Sequence, residues 1–187
     1  MAILQLTHAS ILNSNAQVLI LPVNTVGMLL DPVLMRSKTL YPDNYQRYYR
    51  ACRDGSLMVG TCLLHKRVRE RAGLSASHNG NQPSYIANLV ISDHPYHPTR
   101  ARWLSAALLD LQQQLLPLIR YQGVRKISLL TRPLISITHQ TDDVRVADTT
   151  PLDWEADILP LFIQHLQDLP KVRIELHFPK NMPIKTE

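Results

Sequence analysis

Cysteine is nearly absent from the 187 residues: the chain has two, Cys52 and Cys62. They form no C-x-x-C pair and are too few for a disulfide framework, which excludes a zinc ribbon and a stapled secreted scaffold. A reducing cytoplasm is the expected compartment. Long apolar runs are missing too. No stretch approaches the roughly 18 consecutive apolar residues of a membrane span, and the opening MAILQLTHAS lacks the basic segment and cleavage site of a signal peptide. The expectation is a soluble, unexported protein with no membrane partner. Acidic residues are the minority, 15 Asp and Glu against 20 Lys and Arg, giving a formal +5 with eight His neutral. That balance excludes an acidic disordered chain and favours anionic partners, phosphates or nucleic acid. Neither an internal repeat nor a linker occurs. What is present, 45% hydrophobic and 19% charged residues, suits one domain with one ordinary core, over residues 1–178, and a tail over 179–187.

The apolar patterning predicts the elements. Ala2 to Leu6 and Gln17 to Val23 read as strands, and the second, QVLILPV, has no alternation, as for a strand buried on both faces. Pro42 to Asp54 has Tyr45, Tyr48, Tyr49 and Cys52 at helical spacing, Asp43 in the first turn and Gly55 just past the end. Leu57 to Leu64 and Tyr85 to Ile91 read as neighbouring strands joined by a basic loop. From Pro98 to Tyr121 a 3.6-residue period runs through Leu104, Leu108, Leu111, Leu115 and Leu118, with Thr99 as N-cap and a bend at Pro117. Val124 to Leu130 is a strand. Thr150-Pro151 opens a last helix through Trp154, Ile158 and Phe162, and Lys171 to Phe178 alternates as a half-exposed edge strand. The order indicates an α/β domain with helices packed on a mixed sheet. Ligands in such folds collect beyond the carboxyl ends of strands, here Asn24, Ser92 and Thr131. Two polar stretches, Arg67 to Ser84 and Thr131 to Pro151, exceed ordinary connections and are expected to be long loops.

The span from Asn24 to Gly60 aligns without gaps to N-T-V-G-x-M-G-x-G-x-A-x-x-F-x-x-x-F-P-x-N-x-x-x-Y-x-x-x-C-x-x-G-x-x-x-x-G. In register are Asn24, Thr25, Val26, Gly27, Tyr41 for the aromatic, Pro42, Asn44, Tyr48, Cys52, Gly55 and Gly60. That pattern resembles the macrodomains, in the DarG-like branch that removes ADP-ribose from DNA. The span from Ala87 to Leu111, with its P-T-R helix opening, and Leu152-Asp153-Trp154 are similar to the family as well, so the resemblance covers nearly the whole chain. It implies a single three-layer α/β fold with a mixed central sheet. It also implies ADP-ribose, or an ADP-ribosylated macromolecule, as ligand, bound by Ser10, Ile11, Asn24, Thr25, Val26, Gly27, Met28, Leu29, Leu30, Ser92, Arg132, Pro133, Leu134 and Ile135.

The chain departs from that pattern in its ligand loops. Leu30 and Pro32 stand where the first loop has glycines, and a proline has no N–H to offer a phosphate. The glycine-rich second loop is replaced by Arg132 to Thr149, where Arg132 is the expected source of charge for a diphosphate, since guanidinium recognises phosphate bidentately. The adenine-contacting aspartate falls on Ser10, the branch's catalytic lysine on Ser92, and a related branch's acid on Thr150. Asp93 and His94 are the candidate catalytic replacements, as a general base if they lie within hydrogen-bond reach. His94-x-x-His97 has a metal-like spacing, but Pro95 and Pro98 argue against helical presentation, and neither a metal nor a cofactor is expected. The basic residues Arg36, Lys38, Arg47, Arg50 and Arg53, with His65, Lys66, Arg67, Arg69 and Arg71, form either a solvated face or a phosphate-contacting surface. Three functions stay open: a divergent macrodomain that binds ADP-ribose or a related nucleotide without the usual catalytic residues, an ADP-ribosyl glycohydrolase with a replaced catalytic residue, and a non-catalytic protein- or nucleic-acid-binding scaffold. Oligomeric state is unassigned.

Overall fold

A computed structural model describes residues 1–68, 83–134 and 152–180. Strand β1 (Ile3–Thr7) is followed by a short 3-10 turn (Ile11–Asn13) and by β2 (Val18–Asn24). Two helices come next, α1 (Pro32–Leu40) and α2 (Pro42–Arg53), then β3 (Cys62–Lys66) and β4 (Tyr85–Ser92). The long helix α3 (Ala101–Tyr121) leads to β5 (Lys126–Leu130); a π turn (Trp154–Ile158) opens α4 (Leu159–Leu166), and β6 (Arg173–His177) follows. The strands form one six-stranded sheet in the order β1-β6-β5-β2-β4-β3, with only the β3–β4 pair antiparallel.

The unbroken apolar run of β2 serves two cores. Val18 and Ile20 pack with Leu104, Leu108 and Leu111 of α3 and Phe162 of α4, while Leu19 and Leu21 pack on the other face with Leu34 and Tyr41. Val23 continues that second face against Tyr48 of α2 and Val90 of β4. A strand sandwiched between two helical layers has no solvated face, so alternation is lost. Each of these side chains, when fully buried, contributes about 1.5–3 kcal/mol of transfer free energy. The mixed sheet, the helices on both faces and the pairing of β3 with β4 agree with the sequence expectation.

Several boundaries differ, each for a local reason. Helix α1 was not expected: Asp31 caps it, its Oδ1 accepting from the amides of Val33 at 2.8 Å and Leu34 at 3.4 Å, and Pro32 takes the first helical position. Helix α3 starts from Arg100 without a side-chain cap, and Thr99, the expected cap, is buried instead; the helix continues through Pro117. Thr150 and Pro151 lie outside the described residues, and the last helix is capped by Asp153, which accepts from Ala156 N–H at 2.7 Å. The third strand starts at Cys62, not Leu57. The final strand is not an edge: β6 lies between β1 and β5, and its alternation reflects one apolar face, with Ile174 and Leu176 buried and Arg173 exposed.

Candidate functional site

The carboxyl ends of β2, β4 and β5 bring three segments to one edge of the sheet: Asn24 to Asp31, Ser92 to Thr99, and Thr131 to Leu134. The first is tied internally. Asn24 is buried, and its Oδ1 accepts from the amides of Val26 at 3.0 Å and Gly27 at 3.1 Å while its Nδ2 donates to Met28 O at 2.7 Å. The Tyr48 hydroxyl donates to the Asn24 carbonyl at 2.7 Å, and burial pushes that phenol well above its usual range. Asn24 therefore holds the loop in a tight turn, and its carboxamide makes most of its bonds to backbone. Gly27 sits at φ 84°, where an added Cβ would lie 2.9 Å from Cδ2 of Tyr49, so glycine is required both by conformation and by space. Val26, Met28 and Leu30 are exposed, whereas Leu29 packs toward the core.

Asp31 closes this segment. Besides capping α1, its Oδ2 meets Nε of Arg132 at 3.0 Å, joining the first loop to the turn after β5. Arg132 thus reaches the N-terminal end of α1, where backbone amides and helix dipole favour an anion, and the anion there is the chain's own carboxylate. Leu134 is buried and its amide bonds Thr131 O at 2.9 Å; Pro133 lies between them in the turn, and Ile135 lies outside the described residues. Thr131 is anchored in turn by its hydroxyl on His177 O at 2.7 Å. On the far side Ser10 is exposed at the start of the 3-10 turn, with no capping bond, beside buried Ile11.

The loop after β4 is arranged differently. Ser92, where the resemblance expects a lysine, is buried and spends its hydroxyl on His94 O at 2.6 Å. Asp93 does not pair with His94: its Oδ1 meets Nδ1 of His97 at 3.0 Å, and that bond holds the Asp93 carboxyl below the usual carboxylate range. Nδ1 of His94 instead accepts from Tyr96 N–H at 3.2 Å. The Asp-His couple is thus formed four residues apart and on the surface, where both side chains are half-exposed. The Asp93 carbonyl accepts from the Thr25 hydroxyl at 3.1 Å, which docks this loop on the first. Among the described residues no three His, Cys, Asp or Glu side chains gather as metal ligands would. Asp31 was not singled out as a site residue, although Asp-Pro ahead of an apolar turn was a signal for it; His97 was noted beside Asp93 and His94, but which histidine pairs with Asp93 depends on a loop path that spacing does not encode.

Beneath the cleft, Asn44 and Asn88 exchange amide bonds at 3.1 and 2.8 Å, both buried. At the outer end of α2, Asp43 pairs with His65 at 2.8 Å and Arg67 at 3.2 Å. Burial pushes the Asp43 carboxyl up, but these two partners outweigh it and hold it below its usual range. His65 and Arg67 are thus structural partners of α2, Lys66 is exposed beside them, and Arg69 and Arg71 lie outside the described residues.

A sheet with this order, helices on both faces and ligand loops at its carboxyl edge is the macrodomain architecture. No protein-family model matches the chain. It is 30% identical over 131 residues to a DNA ADP-ribosyl glycohydrolase of Thermus aquaticus, a match covering 70% of this chain and 32% of that protein, so it spans about a third of the relative's length. Its fold superimposes on the macrodomain of Thermus aquaticus DarG with a TM-score of 0.69 and 26% identity, covering 96% of this chain and all of the other. A Thermosipho africanus DarTG structure in complex with ADP-ribose matches with the same TM-score at 20% identity, over 97% of this chain and 43% of that one. The chain is a macrodomain, and within that class it belongs to the DarG-like branch. Among the described residues no helix is long and apolar enough to cross a membrane.

Proposed function

We propose that this chain binds ADP-ribose, free or attached to a macromolecule, in the cleft between the Asn24–Asp31 loop and the Arg132 turn. The observation that carries the reading is Arg132 at the N-terminal end of α1, facing Asp31 across 3.0 Å. A diphosphate there would take a guanidinium and the helix N-terminus in place of the amides that a glycine-rich loop supplies. Asp31 competes for the same groups, so ligand entry replaces one anion by another. The Thermus relative's name and the bound nucleotide of the Thermosipho structure support the ligand class. Titration calorimetry of Arg132→Ala tests the role. A charge-assisted bond is worth about 1.5–3 kcal/mol, so affinity for ADP-ribose falls at least about tenfold. Unchanged affinity removes Arg132 from the site.

Hydrolysis of an ADP-ribosyl bond on DNA or protein is a second reading, favoured by one observation: the Asp93–His97 pair on a loop bonded to Thr25. In this reading the carboxylate orients the imidazole, and His97 accepts a proton from the attacking water. Turnover of an ADP-ribosylated oligonucleotide that disappears in Asp93→Ala and in His97→Ala supports it. Turnover that survives in both variants excludes the pair.

A further inference from the structure

The open sheet has two edge strands, β1 and β3, and an edge strand presents backbone N–H and C=O groups that its own sheet does not pair. The two edges are built differently. Along β3, Val90 N–H donates to Thr61 O and Arg67 N–H donates to Ser84 O, both at 2.9 Å, so the odd-numbered residues bond to β4 and Cys62, Leu64 and Lys66 face outward. Helix α3 covers the first of these. Asp110 Oδ2 accepts from Cys62 N–H at 2.7 Å, and Gln114 Nε2 donates to Cys62 O at 2.7 Å. Lys66 sets an exposed charge at the other end of the strand. Covering groups and charged side chains are what keep an edge from pairing with another chain.

Strand β1 has neither. From Met1 to Thr7 there is no charged side chain and no proline. Ile3 N–H donates to Val172 O at 2.9 Å and Thr7 O accepts from Phe178 N–H at 2.8 Å, so here the odd-numbered residues bond to β6. Ala2 gives its N–H to Gln167 O at 2.8 Å. The outward donors left to the strand are those of Leu4 and Leu6, and among the described residues no side chain meets them as Asp110 meets Cys62. The leucine side chains are half-buried and pack with Ala2 against the main core, whereas Gln5 is exposed and Ile3 is 62% exposed on the opposite face.

We propose that β1 pairs antiparallel with β1 of a second copy of this chain, about a two-fold axis through Gln5, so that two six-stranded sheets become one. A two-fold contact requires a surface that complements itself. With the axis at Gln5, Leu4 lies opposite Leu6 of the second copy, and each such pair exchanges both N–H···O bonds, so both outward donors of β1 are satisfied. An axis at Leu4 would instead set Leu6 against Ala2, whose N–H is already committed. On one face the leucines of the two copies carry the apolar layer of the main core across the join. On the other, Ile3 lies opposite Thr7 and Gln5 opposite Gln5, and no like charges meet. The formal +5 of each chain opposes association at long range, and ordinary salt screens that repulsion. Antiparallel joining turns the carboxyl edges of the two sheets in opposite directions, so each cleft belongs to one chain and the dimer does not rest on the ADP-ribose reading.

Sedimentation equilibrium at about 0.15 M salt tests it. The mass of the native chain rises with concentration from the 21.3 kDa of one chain toward twice that value. Gln5→Lys and Gln5→Glu change an exposed side chain, so the fold stays intact by circular dichroism. Each sets like charges face to face at the axis and weakens dimerisation about fivefold. An equimolar mixture of the two variants restores it, because a lysine then meets a glutamate. Lys66→Ala, on the other edge, leaves the native behaviour unchanged. A native chain that stays at 21.3 kDa up to about 100 μM, Gln5 variants that dimerise as the native chain does, or a mixture no better associated than either variant alone each overturns the proposal.

Discussion

The two walls of the cleft are built on opposite plans. The Asn24–Asp31 wall is held by buried groups: one carboxamide makes three backbone bonds, a buried phenol holds its carbonyl, and a glycine at positive φ fits under Tyr49. The Ser92–Thr99 wall carries its polar pair, Asp93 and His97, half-exposed and bonded to each other. Buried polar bonds cannot be broken without leaving orphans, whereas an exposed pair exchanges its partner for water at little cost. The first wall is thus a rigid frame, and the second can exchange its polar partners.

Substitutions at the two walls break this contrast in a graded way. Asn24→Ala strips three bonds from a buried turn and is expected to lower stability by about 3 kcal/mol, measured by denaturant unfolding; a loss below about 1 kcal/mol means that the turn is held by something else. Gly27→Ala adds a Cβ at φ 84° against Tyr49, with an expected loss of about 2 kcal/mol. A smaller effect follows at the end of β6, where His177 is buried, its Nδ1 bonded to Ala9 O at 2.8 Å. Burial pushes this imidazole below its ordinary value of about 6.5, so the fold prefers it neutral. The stability it contributes is complete above that pH and is lost as pH falls through the lower folded value. In His177→Asn the decline of stability as pH falls below about 6.5 becomes shallower, though not flat, because burial also lowers His165. Asp93→Ala, on the exposed wall, moves the unfolding midpoint by no more than about 0.5 kcal/mol of stability, whatever it does to turnover.

Most of the frame was legible in the sequence because it rests on periodicity. The apolar run of β2, the helical spacing of Tyr45, Tyr48 and Cys52, and the leucine stripe of α3 each identify an element by its pattern. The misses share a cause, since they depend on placement across the chain. Alternation in β6 reports which face is apolar and says nothing about a neighbour on each side, so an interior strand reads as an edge. Pro32, read as a lost loop glycine, is the first residue of α1 once Asp31 is recognised as its cap. At the site, the Asn24, Gly27 and Tyr48 positions were legible through the family pattern. The Asp31–Arg132 and Asp93–His97 pairs were not, because two partners a hundred residues apart, or four apart on a bent loop, meet only after folding.

The ADP-ribose reading requires that the cleft take a diphosphate in exchange for its own carboxylate. Titration calorimetry with ADP-ribose on the native chain and on Asp31→Asn measures this directly, since asparagine still caps α1 but no longer holds Arg132 as an ion pair. The predicted result is micromolar binding by the native chain and several-fold tighter binding by Asp31→Asn. Absence of heat in both, with the fold intact by circular dichroism, contradicts diphosphate binding in this cleft.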